Sequence, residues 1–244
     1  MDHGYVISDL HLFAKRSIAD NHLDAMRTAA NQADFFVLNG DIFDFRWTTL
    51  ETAESTAHAA LAWLEDFVRR HPNCRIFYVL GNHDSWEFFT EHLDALAKRM
   101  PNFQWHPSHV RIGTSLFLHG DLPLGLKRRR KAFHRQLPQT SRTRGRFLHA
   151  CYDALIFTRL HRLPGRWYWR RRCARRFLRA LKREKNGLRD GLRDVYFGHT
   201  HNVFCDYHYR GVMFHNTGST IQGLEGNLLR VRSRNNETET ATSK

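Results

Sequence analysis

An α/β sandwich is the fold class this sequence predicts, and three observations predict it. Over residues 1–121 short apolar runs alternate with amphipathic helical stretches, the pattern of strands and helices sharing one buried sheet system. The apolar runs end in Asp, Asn or His. Tyr5-Val6-Ile7 leads into Asp9-Leu10-His11, and Phe35-Phe36-Val37-Leu38 into Gly40-Asp41-Ile42-Phe43-Asp44. Ile76 to Leu80 leads into Gly81-Asn82-His83-Asp84, Leu116-Phe117-Leu118 into His119-Gly120-Asp121, and Val195-Tyr196-Phe197 into Gly198-His199-Thr200-His201. Polar groups just past strand ends sit where open α/β sheets place their chemistry. The third observation is the charge. Residues 122–193 hold 23 Lys and Arg against 3 Asp and Glu, while the rest of the chain has a net charge of −6. A slightly acidic sheet domain therefore carries one very basic insertion, and the charge belongs to a face or lid.

Taken in order, the chain predicts a first helix over Leu23 to Ala33, with Asp20 and Asn21 as cap candidates. From Glu51 to His71 the apolar residues Ala57, Ala60, Leu61, Leu64 and Val68 form a helical stripe that Pro72 stops. Phe89, Leu93, Leu96, Ala97 and Met100 repeat it, and Pro101 ends it. Past Asp121 the strand signal fades. A basic run, Lys127 to Lys131, opens the insertion; Phe147 to Leu163 has helical character, and Trp167-Tyr168-Trp169 adjoins Arg170-Arg171-Arg172. Ala174, Phe177, Leu178 and Leu181 mark a second amphipathic helix. The sheet domain resumes at Asp194, with Val212-Met213-Phe214 and Leu228-Leu229 as late strands, and 235–244 is expected to be a disordered tail. The domain expectation is one unit over 1–244 with a basic helical lid at 122–193.

Bulk properties exclude several classes. A chain of 244 residues can bury a full core as one domain. It has no apolar run of about 18 residues, so no spanning helix is expected. The immediate start of a strand gives the expectation of no signal peptide. Cys74, Cys151, Cys173 and Cys205 show no C-x-x-C spacing, which fits a reduced, cytoplasmic protein.

The strand-end donors are carboxylate, amide and imidazole groups without thiolate, a set suited to divalent ions that act on phosphates and unlike a structural zinc knot. Seven donors exceed one ion and suit two ions sharing a carboxylate, about 3.5–4 Å apart. These motifs, in this order, resemble the calcineurin-like metallophosphoesterase superfamily, whose blocks D-x-H, G-D-x-x-D, G-N-H-[DE], a later His and G-H-x-H are all matched between Asp9 and His201. The resemblance implies a β-sandwich flanked by helices (αββα type) with a basic helical lid insertion. It implies that Asp9, His11, Asp41 and His201 hold one metal, and that Asp41, Asn82, His119 and His199 hold the other. Mn²⁺ is the first choice, and Mg²⁺, Fe or Zn²⁺ suit the same ligands. Asn82 and His83 would face the substrate phosphate. His83 would act as general acid or transition-state hydrogen-bond donor, with Asp84 orienting its ring. Asp44 and Asp121 would support the loops. Asn216-Thr217-Gly218-Ser219 resembles the family's late N-P-G-S turn with Thr in place of Pro.

Within that superfamily the layout is similar to the bacterial UDP-2,3-diacylglucosamine pyrophosphatases of lipid A synthesis, which share the opening D-L-H, the G-D-x-F-[DE] block and a helical lid in this interval. That resemblance implies a lipid-linked UDP-sugar substrate cleaved to UMP and 2,3-diacylglucosamine 1-phosphate. It also implies an enzyme peripheral on the cytoplasmic side of the inner membrane, its lid meeting acyl chains and anionic headgroups. Arg and Lys neutralise phosphates, and Trp167 and Trp169 suit a boundary between water and acyl chains. The best-known members carry Arg where this chain has His83. Arg meets the charge of a phosphate leaving group, whereas His gives a proton to an alkoxide, so His83 adds weight to an ordinary phosphodiesterase or phosphomonoesterase. The alternative partner is nucleic acid, with arginines on phosphates and aromatic rings on bases, as in a nuclease. Leu155, Ile156, Phe157, Phe177, Leu178 and Leu181 suit either an acyl chamber or packing of the lid on the core.

Overall fold

The computed structural model describes residues 3–121, 123, 145, 148–151, 153, 170–183 and 187–232. Its first sheet contains β1 (His3–Ile7), β2 (Phe35–Asn39), β3 (Arg75–Val79), β4 (Phe103–His106) and β10 (Leu229–Arg232), in the order β10-β1-β2-β3-β4. β1 to β4 run parallel and β10 is antiparallel to β1. Parallel neighbours need crossovers. Those joining β1 to β4 carry α1 (Asp20–Gln32), α2 (Ala53–Arg70) and α3 (Glu87–Arg99). The second sheet has β5 (His109–Ile112), β6 (Ser115–Leu118), β7 (Asp194–Phe197), β8 (Phe204–Tyr209) and β9 (Val212–Asn216), in the order β5-β6-β7-β9-β8. α4 (Arg170–Arg183) covers its outer face.

The strand sequences explain the layering, because successive side chains point to opposite faces. On β2 and β3, Phe36, Leu38, Ile76 and Tyr78 pack under the helices α1 to α3. Phe35, Val37, Phe77 and Val79 turn inward and meet Val110, Phe117 and Tyr196 between the sheets. On the second sheet Leu116, Leu118, Val195 and Phe197 face α4. Strands apolar on both faces are what two covered sheets require. The expected sandwich flanked by helices is therefore the observed fold.

Three strands lacked an apolar run to announce them. β4, β5 and β8 all lie at sheet edges, where one side of the strand is not covered by a neighbour. Local chemistry refines the helix ends. α1 begins after Ala19 with no side-chain cap, so neither Asp20 nor Asn21 caps it; Asp20 instead opens the first turn, where its charge meets the positive end of the helix dipole. Ser55 N donates to Thr52 Oγ1 at 3.0 Å and Thr52 N to Ser55 Oγ at 3.1 Å, a reciprocal cap that starts α2.

Of the basic insertion, α4 and the helical residues 148–151 and 153 are described. Arg16 Nε lies 2.8 Å and Lys15 Nζ 3.1 Å from the Asp153 carboxylate, while Arg16 also donates to the His149 carbonyl. That docks this stretch on the loop following the first site residues. Phe177, Leu178 and Leu181 are buried against the second sheet. Of the two roles left open for them, core packing is the observed one. Lys127 to Lys131, Leu155, Ile156, Phe157, Trp167, Tyr168, Trp169 and 235–244 lie outside the described residues. Among those described, no helix is long and apolar enough to cross a membrane.

Candidate metal centre

The site forms where β1, β2 and β3 of one sheet and β6 and β7 of the other reach their C-terminal ends. Asn39, the last residue of β2, brings the two sets together. Its side-chain amide donates to Leu118 O at 3.1 Å and Tyr196 O at 3.2 Å, tying the first sheet to both site-bearing strands of the second. The chain then turns sharply at the functional residues. Asp9, His11, Asp41, His199 and His201 have φ of 52°, 47°, 51°, 61° and 51°. Non-glycine residues adopt this left-handed region at a cost, and such positions cluster at functional sites. The motif glycines make room: a Cβ on Gly81 would strike the Asp41 carboxylate, and one on Gly198 would strike Asp9 and Ser8.

All seven sequence-predicted donors come together. Asp9, His11 and His201 offer ligand atoms within 4.8 Å of one another, and so do Asp41, His119 and His199. His201 Nε2 is 3.1 Å and His11 Nε2 is 4.0 Å from Asp9 Oδ1. His119 Nε2 is 3.1 Å from Asp41 Oδ2 and 3.2 Å from Asn82 Oδ1. A third overlapping group, His11, Asp41 and His83, bridges toward the solvent side. Asp9, His11, Asp41 and His119 are buried, whereas His201 is partly open.

Electrostatics in this cluster is governed by burial and by the pairing of carboxylates with imidazoles. Burial alone would raise the Asp41 pKa, but His119 and His83 hold it well below the carboxylate range. Burial would strip His119 of its proton; Asp41 and Asp9 overcome that and raise its pKa to about 10. His199, partly buried and beside His119, is pushed down to about 4. His83 reaches about 9, because Asp44 and Asp41 outweigh its burial.

One expected role is corrected. Asp84 does not orient His83. Its carboxylate accepts from Gly81 N at 2.6 Å, Tyr78 Oη at 2.6 Å and Ile42 N at 2.9 Å, so it fastens the β2 and β3 loops to each other. Burial and then the Asp41 charge raise its pKa to about 6. The residue beside the His83 ring is Asp44, whose Oδ2 is 3.1 Å from His83 Nδ1 and 3.2 Å from His11 Nδ1. The His83 contact is a charge pairing out of line with the ring N–H direction, since Nδ1 makes no hydrogen bond by geometry. Asp44 Oδ1 accepts from Arg46 N at 3.0 Å and Trp47 N at 2.9 Å, the loop support expected of it. Nothing in the spacing separates Asp44 from Asp84 as the partner of His83, since both are motif carboxylates.

The late turn also proves to be close to the donors. Asn216 Nδ2 donates to Gly198 O and Thr200 Oγ1, both at 3.0 Å, and Ser219 Oγ donates to Asp9 O at 3.2 Å. Thr217 meets Ser8, which donates to Asp9. The hydroxyls of Ser8 and Thr217 are not among the sequence-predicted site residues; the signals available are that Ser8 adjoins Asp9 and that Thr217 stands in the late turn where the pattern has Pro.

The family model for calcineurin-like phosphoesterases matches residues 5–203. The chain belongs to this family. The phosphoesterase is accordingly a metal-dependent hydrolase that uses divalent ions, and the matched span runs through all five donor-bearing strand ends. A search of curated proteins finds no match. Among solved structures it is similar to a conserved uncharacterized protein, a predicted phosphoesterase, of Streptococcus pneumoniae, at 12% identity and a TM-score of 0.38 over 95% of this chain and 83% of that one. It is also similar to the phosphopantetheinyl hydrolase of Mycobacterium tuberculosis, at 15% identity and a TM-score of 0.43 over 89% of each chain. At these scores it is the family match that carries the assignment.

Proposed function

We propose that this phosphoesterase is a two-metal hydrolase of a phosphoric anhydride or ester, with a UDP-2,3-diacylglucosamine-like, lipid-linked UDP-sugar as its first candidate substrate. The observation that carries the reading is the pair of donor groups, Asp9-His11-His201 and Asp41-His119-His199, linked by the overlapping group His11-Asp41-His83, which shares a residue with each. The residues fit divalent ions. His11 Nε2 is buried, has no hydrogen-bond partner and belongs to a cluster of nitrogen and oxygen donors without thiolate. Asp9, His11, Asp41 and His201 would hold one ion, and Asp41, Asn82, His119 and His199 the other, with Mn²⁺ as first choice. Bound there, the ions would acidify a water and neutralise phosphate charge.

The remaining work falls to this chain's own groups. His83, with Nδ1 on the Asp44 side, has Nε2 left for a substrate oxygen. Its raised pKa, about 9, keeps a proton available at neutral pH for a leaving oxygen or for the charge of a phosphate. Asn82, already at His119, offers its amide to the same phosphate. The supporting argument for the substrate is the basic insertion. The eight cations of α4 are all exposed and the helix carries no acid. A cationic face of this kind favours an anionic membrane surface, where a lipid-linked substrate resides, and supports the reading of an enzyme peripheral on the cytoplasmic face.

The test is UMP release from UDP-2,3-diacylglucosamine with added Mn²⁺, in anionic and in neutral lipid vesicles, beside His199→Ala. The expected result is UMP formation that is faster on anionic vesicles and lost in the variant. Cleavage of an aryl phosphodiester or of RNA without UMP release would retain the hydrolase and remove the lipid sugar.

A further inference from the structure

We propose that the hydroxyls of Ser8 and Thr217 form a positioning pair that presents Asp9 to its metal through a single oxygen, and so sets which divalent ion the site prefers. The proposal rests on the reading of Asp9 as a metal ligand. Asp9 is fully buried, as are Ser8 at 1% and Thr217 at 0% exposure, so bulk solvent does not compete for this contact. Ser8 Oγ donates to Asp9 Oδ2, and Thr217 Oγ1 lies 2.5 Å from Ser8 Oγ. An ionised carboxylate only accepts, so the Ser8 proton is committed to Asp9 and the Ser8 oxygen must accept from Thr217. The chain of donors therefore has one direction, from Thr217 through Ser8 to Asp9 Oδ2. Each link polarises the next.

The two oxygens of Asp9 are thereby made unequal. His199 N stands 3.1 Å from both. Oδ2 carries the Ser8 hydroxyl in addition. Oδ1 is the oxygen that faces the imidazoles, 3.1 Å from His201 Nε2 and 4.0 Å from His11 Nε2. Thr217 is itself fixed. Its N–H donates to Phe197 O at 3.1 Å, and the preceding Asn216 holds the Gly198–Thr200 turn. A proline at this position, as in the N-P-G-S pattern the turn resembles, has no hydroxyl to reach Ser8 and no N–H for Phe197. The departure at Thr217 supplies both.

A carboxylate locked to one oxygen suits small ions that demand regular geometry at short distances, such as Mg²⁺ and by size Mn²⁺. Ca²⁺ accepts two oxygens from one carboxylate and irregular geometry. Releasing Oδ2 lets Asp9 turn both oxygens to the ion. That weakens Mn²⁺ binding more than Ca²⁺ binding, and so narrows the discrimination between them.

The experiment titrates Mn²⁺ alone and Ca²⁺ alone, without substrate, into the chelator-stripped full chain by calorimetry or equilibrium dialysis. Thr217→Val keeps shape and removes the hydroxyl, Thr217→Ser keeps the hydroxyl, and Ser8→Ala removes the middle link. Thr217→Val and Ser8→Ala are expected to lose about 10–100-fold in Mn²⁺ affinity, with a smaller loss for Ca²⁺, while Thr217→Ser stays at the wild-type value. Should Thr217→Val fail the check of fold by circular dichroism, Ser8→Ala carries the same expectation. Wild-type Mn²⁺ affinity and preference in the hydroxyl-free variants would overturn the pair while leaving the metal reading intact. A fall in Thr217→Ser as large as in Thr217→Val would also overturn it, assigning the effect to packing. A wild-type chain that takes up no Mn²⁺ overturns the metal reading and the proposal with it.

Discussion

His83 and the two carboxylates nearest it in the motifs separate chemistry from support. His83→Ala removes the group proposed to face substrate and none of the seven proposed metal donors, so metal uptake should persist while kcat falls about 10²–10⁴-fold. Asp44→Asn should follow it part of the way, because the charge that keeps the His83 proton in place is gone. Asp84→Asn should act differently. Its carboxylate accepts from Gly81 N, Ile42 N and Tyr78 Oη, and an amide nitrogen set against such donors leaves buried groups unpaired, at about 1–3 kcal/mol. Its first effect should be a lower Tm. Equal kcat losses for Asp44→Asn and Asp84→Asn with unchanged Tm in both would refute this division. The donors themselves were legible in the sequence because each sits in a short block right after a strand. The partner of His83 was not, since side-chain direction past a left-handed turn is not carried by spacing. Asp41, Asp9 and three of the histidines all sit in such turns.

The elements found from sequence are those with an apolar period, and the elements missed are those at sheet edges. Among the described residues β4, β5 and β8 each lack a partner on one side, and their polar residues break the run that would announce a strand. α4 was legible for the opposite reason, since its apolar stripe is narrow and everything else on it is charged. What the period could not tell was the surface that stripe meets. In the fold, Phe177 is fully buried, its ring 4.6 Å from that of Phe197 and 6.3 Å from that of Phe214. Phe177 also lies under the turn after His119, 3.4 Å from where a Cβ on Gly120 would stand. Phe177→Ala should therefore cost about 3–5 kcal/mol, while Arg179→Gln on the exposed face should stay within about 0.5 kcal/mol. Urea unfolding followed by circular dichroism measures both. An unchanged midpoint for Phe177→Ala would mean that α4 is not part of the core.

At the scale of the whole molecule, the sequence showed that charge is divided between an acidic sheet domain and a basic insertion, but not how the buried charges balance one another. That balance depends on which side chains meet at the seam of two sheets, with Asp9 and His201 joined across nearly the length of the chain. It has a consequence for stability without metal. His119 and His83 are raised to about 10 and about 9 from an ordinary 6.5, so the folded chain holds protons that the unfolded chain gives up. Their contribution is fully present below 6.5 and is lost as pH rises through 9 to 10. His199 is lowered to about 4, so the unfolded chain binds the extra proton, and stability falls as pH drops from 6.5 toward 4. Asp9, Asp41 and Asp44, all held below their ordinary value, deepen the acid loss. Asp84, raised to about 6 from 3.8, works in the opposite sense between those values and offsets His199 there. The chelator-treated protein should therefore be most stable near pH 6.5, with a shallow decline on the acid side until the three carboxylates are protonated and a steep one above. Excess Mn²⁺ should reverse the alkaline decline, because metal binding needs the imidazoles deprotonated and gains from each proton released. Unfolding midpoints across this range, with chelator and with Mn²⁺, measure it. A metal-free midpoint that climbs steadily from neutral to alkaline pH would show that the imidazoles do not neutralise the buried carboxylates.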